Sequence, residues 1–143
     1  MLVRLMYASR ASGAIDQEVL AAILRKSKAH NPTVGVTGAL ILCPASGVFL
    51  QVLEGGRAAV NALYNRIAAD KRHQDVVLLS YEEIDERRFA VWSMGQVNMA
   101  RLNPALLLKY SETATLDPYK VPARASMALF DELVATAAIV GQG

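Results

Sequence analysis

The sequence predicts an α+β sandwich, two helices packed on one face of a sheet, followed by a helical extension. Three observations carry this. Short apolar runs of strand period alternate with two stripes of helical period in the order β-α-β-β-α-β-β. The two central runs are joined by Pro44-Ala45-Ser46-Gly47, a loop suited to a hairpin. From about Leu102 the pattern changes to helix and loop. Two β-α-β halves around a hairpin make a ferredoxin-like arrangement. We place it in residues 1–100, with the extension in 101–143.

Taken in order, residues 2–8 read as a strand that is apolar on both faces except at Arg4. Ser9-Arg10-Ala11-Ser12-Gly13 reads as a polar turn. A helix is predicted from Gln17 to about Ala29, with Asp16 as N-cap and Glu18 in its first turn. Val19, Leu20, Ile23 and Leu24 share one stripe, and Arg25, Lys26 and Lys28 gather toward the end where the helix dipole favours cations. Asn31-Pro32 should stop this helix, because the residue before proline is pushed out of the α region.

Val36–Leu42 and Val48–Leu53 form the hairpin pair. Glu54-Gly55-Gly56 reads as a tight turn into a second helix, Arg57 to Ala69, with the stripe Val60, Leu63, Tyr64 and Ile67. Val76–Tyr81 and Trp92–Met99 are the fourth and fifth strands. In the extension, Ala105–Lys109 is a short helix. Met127, Phe130, Leu133, Val134 and Ala137 mark an amphipathic last helix, which must dock on the open sheet face, another subunit or a partner.

Composition narrows the class. The chain has 143 residues, 53% of them hydrophobic and 20% charged, which suits one compact domain and not a disordered one. A net charge of +2 is too small to point to nucleic acid. The single Cys43 allows no internal disulfide and fits a reducing cytoplasm. No apolar stretch reaches spanning length, and the start lacks the marks of a signal peptide. The expectation is a cytoplasmic protein without membrane or nucleic-acid partners.

The most informative residue is Gln51, an amide inside Gly47-Val48-Phe49-Leu50-Gln51-Val52-Leu53. Strand period puts it between Phe49 and Leu53 on one face, with Val48, Leu50 and Val52 on the other. Neither face reads as solvated, and a buried amide without partners costs about 1–3 kcal/mol. Tyr7, Asn31 and Trp92-Ser93-Met94 are polar or amphipathic groups in similar apolar settings. Singly, each has an ordinary explanation: a sheet tyrosine, an edge amide, a helix stop, a core tryptophan. Jointly they suit a bound heteroaromatic ring, because the first and third strands of this fold are neighbours. No clustered Cys/His set, GxGxxG or P-loop is present.

These residues, in order and spacing, resemble the BLUF family of blue-light sensors using flavin, from about Leu2 to Met99. The motifs that carry the resemblance are Arg4-Leu5-Met6-Tyr7-Ala8-Ser9, Asn31-Pro32 with Gly35-Val36-Thr37-Gly38, and Phe49-Leu50-Gln51-Val52-Leu53-Glu54-Gly55. Arg66-Ile67 with Asp70 and Arg72-His73, then Arg88-Phe89 before Trp92-Ser93-Met94, complete the set. The resemblance implies FAD, with FMN as the alternative, held noncovalently between the two helices. Ile23 and Ile67 would sandwich the ring, and Asn31 would bond its pyrimidine edge. Arg66 would reach the C2 carbonyl side, with Asp70 and His73 nearby; for these three a solvated helix end is an equal reading.

It further implies that Tyr7 is the electron and proton donor and that Gln51 relays to the flavin, by rotation or tautomerisation. Trp92 and Met94, on the fifth strand, would read the change out, with either one facing Gln51, and Ser9 would tune the pocket. Where many relatives carry a second Asn, this chain has His30. The expected function is therefore a photoreceptor, not an enzyme, acting through a homo-oligomer or a protein partner contacted by the last helix. Two alternatives compete: a light-inactive flavin-binding module, and a small acyl-phosphate hydrolase using Ser9–Gly13 with Arg10. An RNA-binding sheet lacks the exposed aromatics it needs.

Overall fold

A computed structural model describes residues 1–14, 17–97, 99, 102–136 and 139–140. The elements are β1 (Leu2–Ala11), α1 (Gln17–Val34), β2 (Thr37–Cys43), β3 (Val48–Gly56), α2 (Arg57–Ala69), β4 (His73–Ile84), β5 (Gly95–Val97), α3 (Pro104–Tyr110), α4 (Ala123–Ala135) and β6 (Ile139–Val140). The sheet order is β4-β1-β3-β2-β5-β6. β1 pairs antiparallel with both β3 and β4, β2 runs antiparallel to β3 and parallel to β5. The register sets Tyr7 opposite Gln51 and Gln51 opposite Leu40.

Strand period divides the core in two. Val3, Leu5, Tyr7, Leu40, Leu42, Phe49 and Leu53 face α1 and α2, packing with Leu24 and Val60. Met6, Ala39, Ile41, Leu50 and Val52 lie on the other face, covered by Leu107, Leu116, Leu129, Phe130 and Leu133. Of the three places open to the last helix, its apolar stripe thus occupies the sheet's open face. Asp16 and Ala137 lie outside the described residues, and α4 ends at Ala135.

Several boundaries differ from the sequence expectation, each for a tertiary reason. β1 runs on to Ala11, so Ser9 and Arg10 are strand residues and not a turn; they pair with Phe49 and Val48. β4 is longer at both ends than Val76–Tyr81, because β1 supplies ladder partners from Ile84 to His73. Glu54-Gly55-Gly56 is strand, not turn, and β3 leads straight into α2 at Arg57. Pro32 does not stop α1. It is exposed, and the helix continues to Val34 before Gly35 ends it at φ +71, the left-handed conformation glycine tolerates. β5 begins only at Gly95, so Trp92 and Met94 precede the strand they were expected to occupy. At Gly95 any Cβ would meet Ile139 of β6 at 2.5 Å, an approach only glycine permits.

Candidate functional site

Between α1 and α2, above the sheet, lies a cavity of about 210 Å³. Its walls are apolar, from Ile23 on α1 and Leu63 and Ile67 on α2. Its floor is the sheet: Tyr7, Leu40, Phe49 and Gln51. The fold places them there because Tyr7 and Gln51 are cross-strand partners and Leu40 pairs with Gln51 from the other side.

Tyr7 is 1% exposed and Gln51 5%. The Tyr7 hydroxyl donates to Gln51 Oε1. Gln51 Nε2 in turn donates to Met94 Sδ at 3.2 Å. Burial, and secondarily the neighbouring Tyr64, push the Tyr7 phenol well above its ordinary value, so it keeps its proton and acts as a donor. Asn31, buried in the last turn of α1, donates through Nδ2 to the Ser93 carbonyl at 2.8 Å. That bond ties α1 to the approach to β5, as does Gly38 N–H donating to the Trp92 carbonyl at 3.1 Å.

The mouth of the cavity is charged. Arg66 donates through Nη2 to His30 Nε2 at 2.8 Å. Guanidinium cannot accept, so this imidazole nitrogen is the acceptor. Asp70 accepts from Arg72, whose hydrogen bonds hold its carboxyl at about 2. His73 Nδ1 shares a 2.8 Å hydrogen bond with Ser9 Oγ, and its ring lies 4.9 Å from that of Phe49. Burial lowers the His73 pKa against the pull of Asp70, favouring the neutral ring.

Of the residues singled out from sequence, Tyr7, Ile23, Asn31, Gln51, Arg66, Ile67, Asp70 and His73 all line the cavity. Ser9, Met94 and Trp92 stand behind it. Ser9 holds His73, Met94 holds Gln51, and Trp92 packs by Gly95 with its ring 6.4 Å from Phe89. Met94, not Trp92, is thus the residue bonded to Gln51. Lys26, Ser27, Leu40, Phe49, Leu63 and Arg72 also line the cavity and were not singled out; His30 was noted only as a departure. Spacing held a signal for most of them. Ile23, Lys26, Ser27 and His30 follow the period of one helical face, as do Leu63, Arg66, Ile67 and Asp70.

Apolar walls, an amide-bearing floor and the cations Lys26, Arg66 and Arg72 suit a planar heteroaromatic ring with an anionic tail. Among the described residues no His/Cys/Asp/Glu group is placed to hold a metal, and no helix is long and apolar enough to cross a membrane.

Comparison with known proteins agrees. Over 86 residues the chain is 43% identical to the photoactivated adenylate cyclase subunit alpha of Euglena gracilis, covering 60% of this chain but 8% of that protein. It is 36% identical over 94 residues to the subunit beta of Euglena longa, of which it covers 11%. The chain therefore spans only a small part of these relatives. Among solved structures, the photo-activated state of BlsA superposes with a TM-score of 0.82 at 29% identity, over 100% of this chain and 99% of that one. The dark state of BlrB, a BLUF protein, gives 0.79 at 32% identity, over 95% and 96%. The sequence profile of sensors of blue light using FAD matches residues 2–95. With two thirds of its length in that match, the chain belongs to the BLUF family, whose domains are flavin-binding photosensors and not themselves enzymes.

Proposed function

We propose that this chain senses blue light through FAD bound between α1 and α2, with Tyr7 as the electron and proton donor and Gln51 as the relay. The observation that carries this is the buried series Tyr7 Oη, Gln51 and Met94 Sδ at the base of the cavity. Bound flavin supplies visible absorption and, once excited, one-electron oxidising power. Tyr7 keeps its proton in the dark, because nothing at this depth solvates a phenolate. A tyrosine that gives up an electron becomes a strong acid, and its proton is already aimed at Gln51 Oε1. The Gln51 amide is both donor and acceptor. The electron would pass to the excited flavin and the proton to it through Gln51, and both would return to Tyr7, leaving the amide rotated or tautomerised with its donation to Met94 Sδ ended.

Ile23 and Ile67 supply the walls for the ring, and Asn31 a donor and an acceptor at its edge. Lys26 and Arg66 favour a phosphate-bearing flavin, which both FAD and the alternative, FMN, satisfy. Asp70 and His73 shape the mouth. The output is a change in the contacts that the helical extension makes with a second subunit or a partner. The apolar stripe of α4 is taken up by the sheet face opposite the cavity, so the outer, polar side of the helix is what a second subunit or partner would meet.

The test is a visible spectrum of the full chain loaded with FAD, before and just after blue light. A flavin band that shifts slightly to the red and recovers in the dark is expected. A flavin band that light leaves unchanged would make the protein a dark flavin carrier. A chain that takes up no flavin would overturn the reading altogether.

A further inference from the structure

Glu54 is the one fully buried carboxylate among the described residues, and the chemistry at Tyr7 and Gln51 does not use it. It lies three residues along β3 from Gln51, so strand period turns it to the opposite face. Burying a carboxylate is costly unless its oxygens are paired. Here Oε2 accepts from Arg4 Nε at 2.8 Å, and the carboxylate also takes the backbone N–H groups of Arg88 at 3.0 Å and Phe89 at 2.7 Å. Arg4 extends the series to Glu82 on β4 at 2.9 Å.

Those two amides lie within the irregular stretch between β4 and β5, and its part from 88 to 94 is tied at both ends. On the outer side, Arg88 Nη1 meets Asp131 Oδ1 of α4 at 2.6 Å. Beside it, the Phe89 ring packs edge-on against Phe130 of α4, centroids 5.8 Å apart. On the inner side, the Ser93 carbonyl accepts from Asn31 and Met94 Sδ from Gln51. Between the two, Ala90 and Val91 stand in solvent, Val91 at 68% exposure. Without a fixed point, a segment held this way would absorb a displacement at Met94 by flexing.

We propose that Glu54 is a positioning residue that clamps the start of segment 88–94, so that a change in the Gln51–Met94 bond is passed to α4. The proposal rests on the photoreceptor reading above. Gln51 and Glu54 then act from opposite faces of one strand. The amide rearranges, while the carboxylate holds the segment that carries the result.

The test compares amide exchange across residues 123–135 in light and dark, in the full chain loaded with FAD, alongside the flavin spectrum. In the unsubstituted chain light should shift the flavin band and alter exchange in α4. Glu54→Gln keeps the volume and one acceptor but removes the charge. It should leave the red shift intact and cut the α4 response roughly fivefold, the scale of an ordinary coupling between sites. Arg88→Ala should act in the same direction and Arg88→Lys should restore the response, which keeps the proposal falsifiable if the Glu54 variant does not fold. A red shift with an undiminished α4 response in Glu54→Gln would overturn the clamp alone. Loss of the shift together with the α4 response would place Glu54 in the flavin network and also overturn it. No red shift in the unsubstituted chain would overturn the photoreceptor reading and the clamp with it.

Discussion

Tyr7 and Gln51 point from β1 and β3 toward α1 and α2, whereas Met6, Leu50 and Val52, their neighbours along the same strands, point toward α4. On the first face the helices stand apart, and a cavity remains above the sheet. On the second face Leu129, Phe130 and Leu133 fill the space. Each face also buries a polar side chain of β3, and the two are satisfied differently. Gln51 bonds a hydroxyl and a thioether, both neutral, and its amide carries one donor end and one acceptor end. Glu54 is held by a guanidinium and two backbone amides, and no rearrangement replaces them. One strand thus presents an amide with neutral partners toward the cavity and a carboxylate held by charge toward α4.

The largest expected effect breaks the cavity face. Gln51→Leu fills similar volume without an amide, so light should produce no red shift although flavin still binds. A normal light-induced shift in that variant would remove Gln51 as the relay. On the face that α4 covers, Phe130→Ala should destabilise the fold by about 3–5 kcal/mol, as for other buried aromatics truncated to alanine. Denaturant unfolding of the FAD-loaded chain measures this, and an unchanged midpoint would mean that α4 contributes little to the core.

A smaller effect sharpens the contrast at the cavity mouth. Because burial lowers the His73 pKa below 6.5, the unfolded chain binds this proton more readily than the folded one. Stability present above pH 6.5 is therefore lost as pH falls through the folded value. Melting temperature against pH should show the loss, and His73→Gln should flatten that part of the curve; an identical slope would exclude His73 as its source. The smallest effect is expected at an exposed pair. Arg57 and Glu83 meet at 2.6 Å but are 46% and 58% exposed, so Arg57→Gln should cost no more than about 1 kcal/mol. A larger loss would show that the β4 edge is held more tightly than its exposure implies.

Much of the site was legible before the fold was known, and for identifiable reasons. An amide in a two-faced apolar strand marks Gln51, because burial and period are local properties of the chain, whereas Ile23 and Ile67 look like ordinary core stripe residues and were tied to the site only by the family resemblance. His30, Lys26 and Arg72 were less visible, since a cation at a helix end has the same local pattern whether it faces solvent or a ligand. Pro32 shows the opposite failure. Its local rule is sound, yet α1 carries Pro32 in its last turn, where Asn31 is tied to the Ser93 carbonyl, and Gly35 ends the helix instead.

By itself the sequence determined the order of the elements as far as α4, though not β6, together with the two faces of β3 and the polar residues that interrupt apolar runs. Periods of two and 3.6 are set by backbone geometry and need no neighbours. The tertiary structure alone decided that Met94 and not Trp92 meets Gln51, that Ser9 and Arg10 are strand, and that α4 closes the second face. It alone joined Glu54 to Arg4, Arg88 and Phe89. Those outcomes depend on which partners reach a given backbone or buried group across tens of residues, and that is settled only when the packed chain satisfies all of them at once.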